Sequence, residues 1–276
     1  MRNEHRGRNP DCCIGPGHFG HQGLQNAEPS ALALRTRCVL YTEIPTSIIW
    51  LMITIAHIYN DFDGKFGIPR QSGLVEGLDA RIVFCPEYRN VEALRGLEGF
   101  SHIWLLWDFS QAHSNKWSPT VRPPRLGGNK RMGVWATRSP FRPNNIGLSS
   151  VRITKIELDT PDGPVIHVEG ADLMNGTPIL DIKPYLPFTD SHPEASAGWT
   201  TETHNNTLQV SITDSVRQKY NFTPRQWQAI EGILAGDPRP HYQNDPTRVY
   251  SFEFHGITVQ FIVDKRTAIV QSPESN

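Results

Sequence analysis

The stretch Pro119-Thr-Val-Arg-Pro-Pro-Arg-Leu-Gly-Gly-Asn-Lys-Arg-Met-Gly-Val-Trp-Ala-Thr-Arg-Ser-Pro-Phe-Arg-Pro-Asn-Asn-Ile-Gly-Leu148 holds five prolines and four glycines before its last residue. Proline removes a backbone donor and glycine loosens the chain, so no long helix forms here; shaped loops joined by short strands do. The wider segment from Phe109 to Ile156 contains nine Lys or Arg and no Asp or Glu. The chain as a whole has a formal net charge of -1, so the 48 residues of this segment carry +9 and the other 228 carry -10. Positive charge segregated on a near-neutral chain points to a polyanionic partner, because Lys and Arg displace counterions from phosphates. The cations are mostly Arg, with Trp117, Trp135 and Phe141 interleaved, which suits bidentate phosphate contacts and base stacking. Trp135, between Val134 and Ala136, also reads as a buried barrel residue.

Working outward, the chain is mostly short strands and punctuated loops. Met52–Ile58, Ala80–Phe84, Gly133–Thr137, Ser149–Leu158, Val165–Ala171 and Ile179–Tyr185 read as strands, and Ser101–Phe109 has the continuous apolar and aromatic profile of a buried central strand. Val91, Leu94 and Leu97 predict a short helix within Tyr88–Leu97. Asp159-Thr-Pro-Asp-Gly-Pro164 is a turn. Strands at this spacing, with few long helices, predict a mainly β fold, a barrel or sandwich in preference to βαβ winding.

The C-terminal part changes character. Asp190–Asn206 is polar and reads as a linker. Thr223-Pro-Arg-Gln226 sets an N-cap Thr, Pro at the first helical position and Gln three residues on, opening a helix to Ala235 that Gly236 stops. Asp237-Pro-Arg-Pro-His-Tyr242 then leaves in extended form. Val249–Phe254 and Ile257–Val263 flank His255-Gly256 as a hairpin. The expected organisation is therefore a barrel over 52–190 and a small α+β subdomain over 207–271.

The chain has 276 residues, 38% hydrophobic and 20% charged, ordinary for a soluble globular protein. Residues 1–51 begin Arg-, His- and Gly-rich without apolar periodicity and read as disordered, with Met52 as the expected start of the functional protein. The apolar run Ile48–Ala56 is too short to span a bilayer and lacks a signal-peptide cleavage site. Four cysteines, Cys12, Cys13, Cys38 and Cys85, imply no disulfide framework and suit a reducing cytoplasm. Cys12-Cys13 with His18 and His21 lacks the Cys-x-x-Cys spacing of a zinc site, so no metal is expected.

Three loop motifs have residue types suited to chemistry. Pro69-Arg70-Gln71 follows Lys65-Phe66-Gly67, Ala136-Thr-Arg-Ser-Pro-Phe-Arg-Pro143 centres the basic block, and Asp172–Tyr185 contains Asn175-Gly176. Each has a plain reading beside the functional one: Pro-Arg-Gln suits any exposed turn, and Asn-Gly commonly joins two strands. Asp181, Lys183 and Tyr185, however, alternate on one side of a strand where apolar residues would suffice. His102, opening a very apolar strand, reads as readily as a satisfied core or edge histidine.

Lys65–Leu74, Phe100–Trp104, Pro119–Leu148 and Asp172–Phe188, in this order, resemble the TsaA/TrmO family of tRNA methyltransferases, and the resemblance runs from about Ile53 to Val270. It implies a single-sheeted β-barrel that binds S-adenosylmethionine without a Rossmann domain, in keeping with the missing Gly-x-Gly-x-x-Gly after a strand. It further implies a homodimer with cofactor near the subunit interface. The implied reaction is methylation of N6 of threonylcarbamoyladenosine, just 3′ of the anticodon, with the tRNA anticodon stem-loop as partner.

Carried over motif by motif, cofactor contacts are expected from Pro69, Arg70, Gln71, Ser101, His102 and Arg138, and from Asp172, Leu173, Met174, Asn175, Gly176 and Thr177. Arg122, Arg125, Lys130, Arg131 and Arg142 are expected to hold RNA, with Phe141 or Trp135 stacking on an extruded base. Asp172, Asp181 and His102 are the candidate general bases, the aspartates favoured. One departure is visible: the family usually has Pro where Asn145 follows Asn144, which leaves the geometry of that turn open. Two rival readings are a non-catalytic RNA-binding barrel and a methyltransferase with another acceptor.

Overall fold

A computed structural model of the chain describes residues 52–114, 116–203, 207–239, 243 and 245–273. The readings made above on residues 1–51, including their disorder and the cysteine–histidine cluster, lie outside the described residues, as do residues 240–242. In chain order the strands and helices are β1 (Ala56–Tyr59), β2 (Asp79–Phe84), β3 (His102–Asp108), β4 (Thr120–Val121), β5 (Met132–Gly133), β6 (Ile146–Glu157), β7 (Val165–Glu169), β8 (Thr177–Pro184) and α1 (Pro187–Asp190). They are followed by β9 (Gln209–Ser211), α2 (Asp214–Lys219), α3 (Pro224–Ala235), β10 (Tyr250–Phe254), β11 (Ile257–Asp264) and β12 (Thr267–Val270).

Six strands close a barrel in the order β1-β2-β7-β6-β3-β8, and every pairing in it is antiparallel. Closure removes free sheet edges, and alternation along each strand fills the interior. Ile58, Ile82, Ile103, Leu105, Ile166 and Ile179 are fully buried there. The expected barrel is present, with differences of detail. β3 is not buried on both faces: Ile103, Leu105 and Trp107 point inward, while Trp104 and Leu106 are half-buried outside. Trp104 keeps its Nε1–H satisfied by Asp190 Oδ2 at 2.8 Å. A continuous apolar run therefore overstated burial; period-2 geometry still puts alternate residues on opposite faces.

The helix expected near Tyr88–Leu97 is instead three short 3₁₀ turns, Pro86–Tyr88, Val91–Leu94 and Leu97–Gly99. Gly96, at φ 86°, breaks the right-handed path between the last two, and Leu94 alone of the apolar triplet is buried. The strand expected over Gly133–Thr137 ends at Gly133, and Val134–Ala136 forms a 3₁₀ turn.

The other sheet runs β10-β11-β12-β9, with β9 parallel to β12. β10 and β11 form the expected hairpin around His255 (φ 53°) and Gly256 (φ 70°), both left-handed as a type I′ turn requires. α3 carries the full capping box: Thr223 Oγ1 accepts from Gln226 N, and Gln226 Oε1 from Thr223 N. Gly236 stays right-handed, and the left-handed residue after the helix is Asp237 at φ 47°. The core under this sheet is completed by Phe62, Val75 and Leu78, which come from the β1–β2 connection. That connection, carrying Pro69-Arg70-Gln71, is therefore shared by barrel and C-terminal sheet. Arg225 of α3 reinforces the junction, reaching Asp79 Oδ1 and Oδ2 at 2.7 and 2.8 Å and Glu169 Oε1 at 2.7 Å. Among the described residues no helix is long and apolar enough to cross a membrane.

Candidate functional site

Antiparallel pairing sets Asp108, at the end of β3, opposite Ile146, at the start of β6. This register brings the basic block, which connects the two strands, to one barrel end. The β1–β2 connection and the segment before β8 reach the same end, and between them lies a cavity of about 620 Å³, a volume within the usual range for small-molecule sites. Pro69, Arg70, Gln71, Arg138, Asp172, Met174, Asn175, Gly176 and Thr177 line it, and so does Arg142.

Each of these loops is pinned by hydrogen bonds. Gly73 N donates to Gly170 O at 2.9 Å, fastening the Pro69–Gln71 segment to the end of β7. Asn175 N and Gly176 N donate to Phe62 O and Ile58 O, both at 2.8 Å, while Asn175 Nδ2 donates to Asp63 Oδ1 at 2.8 Å. Asn145, the departure from the usual Pro, ties its turn by side-chain donation to Pro140 O at 2.6 Å, and its carbonyl accepts from Phe109 N at 2.8 Å. The amide thus supplies order that a proline ring would supply through its fixed φ.

The polar groups divide by sign. Arg138 donates to Gln71 Oε1, and Gln71 in turn donates to Arg70 O. Arg70 Nη2 donates to the carbonyls of Asp237 at 3.0 Å and Arg239 at 3.3 Å. Burial first, then the nearby Arg125 charge, pulls the Arg70 pKa below the ordinary guanidinium value. Two carboxylates line the cavity, Asp108 and Asp172, and Asp172 is the buried one. Its Oδ1 accepts from Ser149 Oγ at 2.5 Å, and Ser149 Oγ accepts from Trp107 Nε1 at 3.0 Å. Burial pushes the Asp172 pKa up, against the Ser149 hydrogen bond and the Arg138 charge, which pull it down. A buried carboxylate with raised proton affinity and a specific partner, set in a cleft, is a candidate functional group.

The remaining expected residues fall elsewhere. Leu173 is 1% exposed and belongs to the barrel core. Ser101 and His102 stand at the start of β3, whose seven residues span roughly 20 Å at strand rise, so they are at the opposite end from the cavity. His102 Nδ1 meets Ser101 Oγ at 2.9 Å, and its ring faces Tyr185. Asp181 also lies outside the cavity, 2.9 Å from Lys183 Nζ and accepting from Ile182 N at 2.9 Å. A bulge in the β3–β8 pairing between Leu106 and Trp107 shifts the register there. Of the proposed RNA contacts, Arg122, Lys130 and Arg131 are exposed, with Arg131 Nε held by Thr120 Oγ1 at 2.7 Å. Arg142 Nη1 donates to Val134 O and Thr137 O at 3.2 and 2.7 Å, so it also braces its own loop. Trp135 is 65% exposed, which corrects the buried reading: its neighbour Val134, 0% exposed, takes the inward position of the 3₁₀ turn and leaves Trp135 outside.

Trp107, Asp108, Phe109, Ser110, Ile146 and Leu148 line the cavity too, and sequence reasoning did not select them. The available signal was topological: residues directly flanking a loop-borne site on two paired strands must share its barrel end.

The chemistry of the cavity fits S-adenosylmethionine. Trp107, Phe109 and Leu148 offer an apolar wall for a purine and Arg138 a donor for a carboxylate. Among the described residues no cluster of His, Cys, Asp and Glu has a metal-binding arrangement.

A family model described as the tRNA-methyltransferase O N-terminal domain matches residues 57–191, and one described as the TrmO C-terminal domain matches residues 205–275. The Escherichia coli (strain K12) protein named tRNA (adenine(37)-N6)-methyltransferase is 40% identical over 215 residues, 76% of this chain and 91% of that protein. An Eikenella corrodens protein of the same name is 44% identical over 173 residues, covering 63% of this chain and 96% of the relative. A putative S-adenosylmethionine-dependent methyltransferase, RcsF of Pseudomonas aeruginosa, is 40% identical over 212 residues, 75% of this chain and 90% of its own. The crystal structure of TrmO from Pseudomonas aeruginosa aligns with a TM-score of 0.65 at 31% identity, covering 80% of this chain and 97% of that one.

Proposed function

This chain belongs to the tRNA-methyltransferase O family, and from that premise we propose that it methylates N6 of adenosine 37 in tRNA, the reaction its relatives are named for, using S-adenosylmethionine. The observation that carries this reading is the meeting of Arg138, Asp172 and the apolar rings of Trp107 and Phe109 in one cavity, beside a surface segment with no acidic residue.

S-adenosylmethionine, when bound, supplies a methyl group already activated by a sulfonium leaving group. The protein's own task is then positioning and proton handling. Arg138, oriented by Gln71, presents a guanidinium to the cavity. The Asn60–Asn175 contacts hold the Met174–Thr177 wall in register with β1: Asn60 Nδ2 donates to Leu173 O at 2.7 Å and Asn60 N to Asn175 Oδ1 at 3.2 Å. Asp172 is the proposed acceptor of the proton that N6 must lose. Its raised proton affinity brings it nearer the pH at which a general base works best. Asp181, paired with Lys183 outside the cavity, is left a structural part.

The acceptor proposed is adenosine already carrying an N6-threonylcarbamoyl group, whose carbonyl makes the N6–H more acidic than a plain exocyclic amine. Arg122, Lys130 and Arg131 are proposed to take the phosphates of the anticodon stem-loop. A homodimer is proposed as the working unit. Phe100, just before β3, and Phe188, in α1 after β8, are 36% and 86% exposed. With Ile103 opposite Pro184, both leave the barrel at the end away from the cavity, and a second copy is proposed to pack there, a contact set apart from the cofactor interface that the resemblance implies.

The deciding experiment incubates purified protein with S-adenosylmethionine and tRNA bearing threonylcarbamoyladenosine at position 37, then digests the RNA for nucleoside mass spectrometry. Gain of one methyl on that nucleoside is the expected result. Methylation of unmodified adenosine only would replace the acceptor, and no methylation at all would sink the assignment.

A further inference from the structure

Trp117 and Trp135 are 50% and 65% exposed, yet their rings pack with centroids 5.9 Å apart at an interplanar angle of 30°. Two exposed indoles packed on each other form a contiguous aromatic surface, the kind of feature that serves as a contact site. The pair is built, not loose. Val134, 0% exposed, anchors the 3₁₀ turn that turns Trp135 outward. Trp199 Nε1 braces the same turn by donating to Ala136 O at 2.9 Å. The Arg142 guanidinium lies 5.0 Å from the Trp135 ring centroid while donating to Val134 O and Thr137 O. Arg142 also lines the cavity, so the platform sits at the cavity's rim.

We propose that Trp117, Trp135 and Arg142 form a stacking site for one unpaired nucleobase of the RNA loop whose adenine enters the cavity. The inference rests on the methyl-transfer reading and extends it to a second nucleotide. Charge complementarity selects the occupant: the platform lies within the acid-free segment bearing nine Lys or Arg, which a polyphosphate chain matches. Every base presents a π face, and stacking on indole with a neighbouring guanidinium needs no base-specific hydrogen bond. The centroid separation of 5.9 Å is too short for a base between the rings, since two contacts of about 3.5 Å need about 7 Å. The base therefore stacks on an outer face of the pair. Such a site sets affinity and the placement of the loop, and it tolerates any base.

The test measures tRNA affinity of Trp117→Leu, Trp135→Leu and Trp135→Phe, with light scattering for oligomeric state and circular dichroism for folding. Each leucine variant should bind tRNA about fivefold or more weakly, because stacking contributes at least about 1 kcal/mol per base. Trp135→Phe should retain most of the affinity, the salt slope should stay unchanged, and tRNA should quench wild-type tryptophan emission. Wild-type affinity in both leucine variants overturns the proposal. So does a leucine variant that loses tRNA only because its oligomeric state changes, which would make the pair a subunit contact. Methyl transfer, measured in parallel, separates the two readings. Tryptophan-dependent binding without methylation spares the platform and removes the assigned reaction, whereas methylation indifferent to both rings does the reverse.

Discussion

Arg70 reaches across 167 positions to donate Nη2 to the main-chain carbonyl of Asp237 at 3.0 Å, with the Arg239 carbonyl at 3.3 Å. A cavity residue of the β1–β2 connection is thus fixed by the segment that follows α3, whose own bend is held by Asp237 Oδ1 and Arg239 Nε at 2.8 Å. The C-terminal part therefore shapes the cavity wall without lining it.

Arg70→Ala leaves two part-buried carbonyls without this donor, so stability should fall by about 1–3 kcal/mol. S-adenosylmethionine affinity should fall with it, and Arg70→Lys should recover part of each because Lys lacks the planar fork. Urea denaturation and titration calorimetry decide this; unchanged stability would remove the proposed coupling.

Asp172→Asn keeps the acceptor for Ser149 and removes the ionisation. The folded-state pKa is raised by burial, so the native state holds this proton more tightly than the unfolded chain. That stabilisation is complete below the unfolded value of about 3.9 and is lost as pH rises through the folded value. The Asn variant should therefore gain stability relative to wild type as pH rises from acid to neutral, read as a difference in melting temperature. Methyl transfer should fall about 100-fold or more if Asp172 takes the proton. The wild-type rate should also decline in acid at a pH above the ordinary carboxylate range.

Arg122→Ala and Lys130→Ala should each weaken tRNA binding and reduce the slope of log affinity against log salt by about 1, leaving cofactor affinity unchanged. Arg142→Ala should behave differently, since Arg142 braces Val134 and Thr137 and lines the cavity. Loss of both tRNA and cofactor affinity is expected there, and a pure salt-slope effect would contradict the bracing role.

Gly147 lies flat against the Trp107 ring, where an added Cβ would come within 2.1 Å of Cε2. Gly147→Ala must displace that ring, at about 1–3 kcal/mol, and with it the Trp107–Ser149–Asp172 chain. Thermal unfolding should register the loss, and cofactor affinity should fall because Trp107 forms part of the cavity wall.

Phe188→Glu puts charge on the exposed aromatic surface near the end of β8 and should give monomers by light scattering at micromolar concentration. A variant that stays dimeric moves the subunit contact to another face.

The sequence carried the local features well. Thr223 and Gln226 announced α3 through their own side chains, and His255-Gly256 announced the hairpin through a turn that demands left-handed φ. Alternation over Ala80–Phe84 and short apolar runs between turn signals located β2, β6, β7 and β8 to within a few positions, because both signals are local. The three loop motifs were separately visible, and the resemblance they carried named the family correctly.

Long-range pairing decided the rest. Sequence offered both Asp172 and Asp181 as general bases, and closure of the barrel placed one beside Ser149 and the cavity and the other beside Lys183. His102 and Phe109 share a neighbourhood in sequence, yet strand rise carries them to opposite barrel ends, so Phe109 reaches the cavity and His102 does not. Trp135 faces outward because Val134 beside it takes the buried position of their shared turn. Local chemistry specifies the pieces, since caps, turns and alternation act over a few residues. Which pieces share a surface depends on hydrogen-bonded register between segments far apart in the chain, and that is written in no single stretch of it.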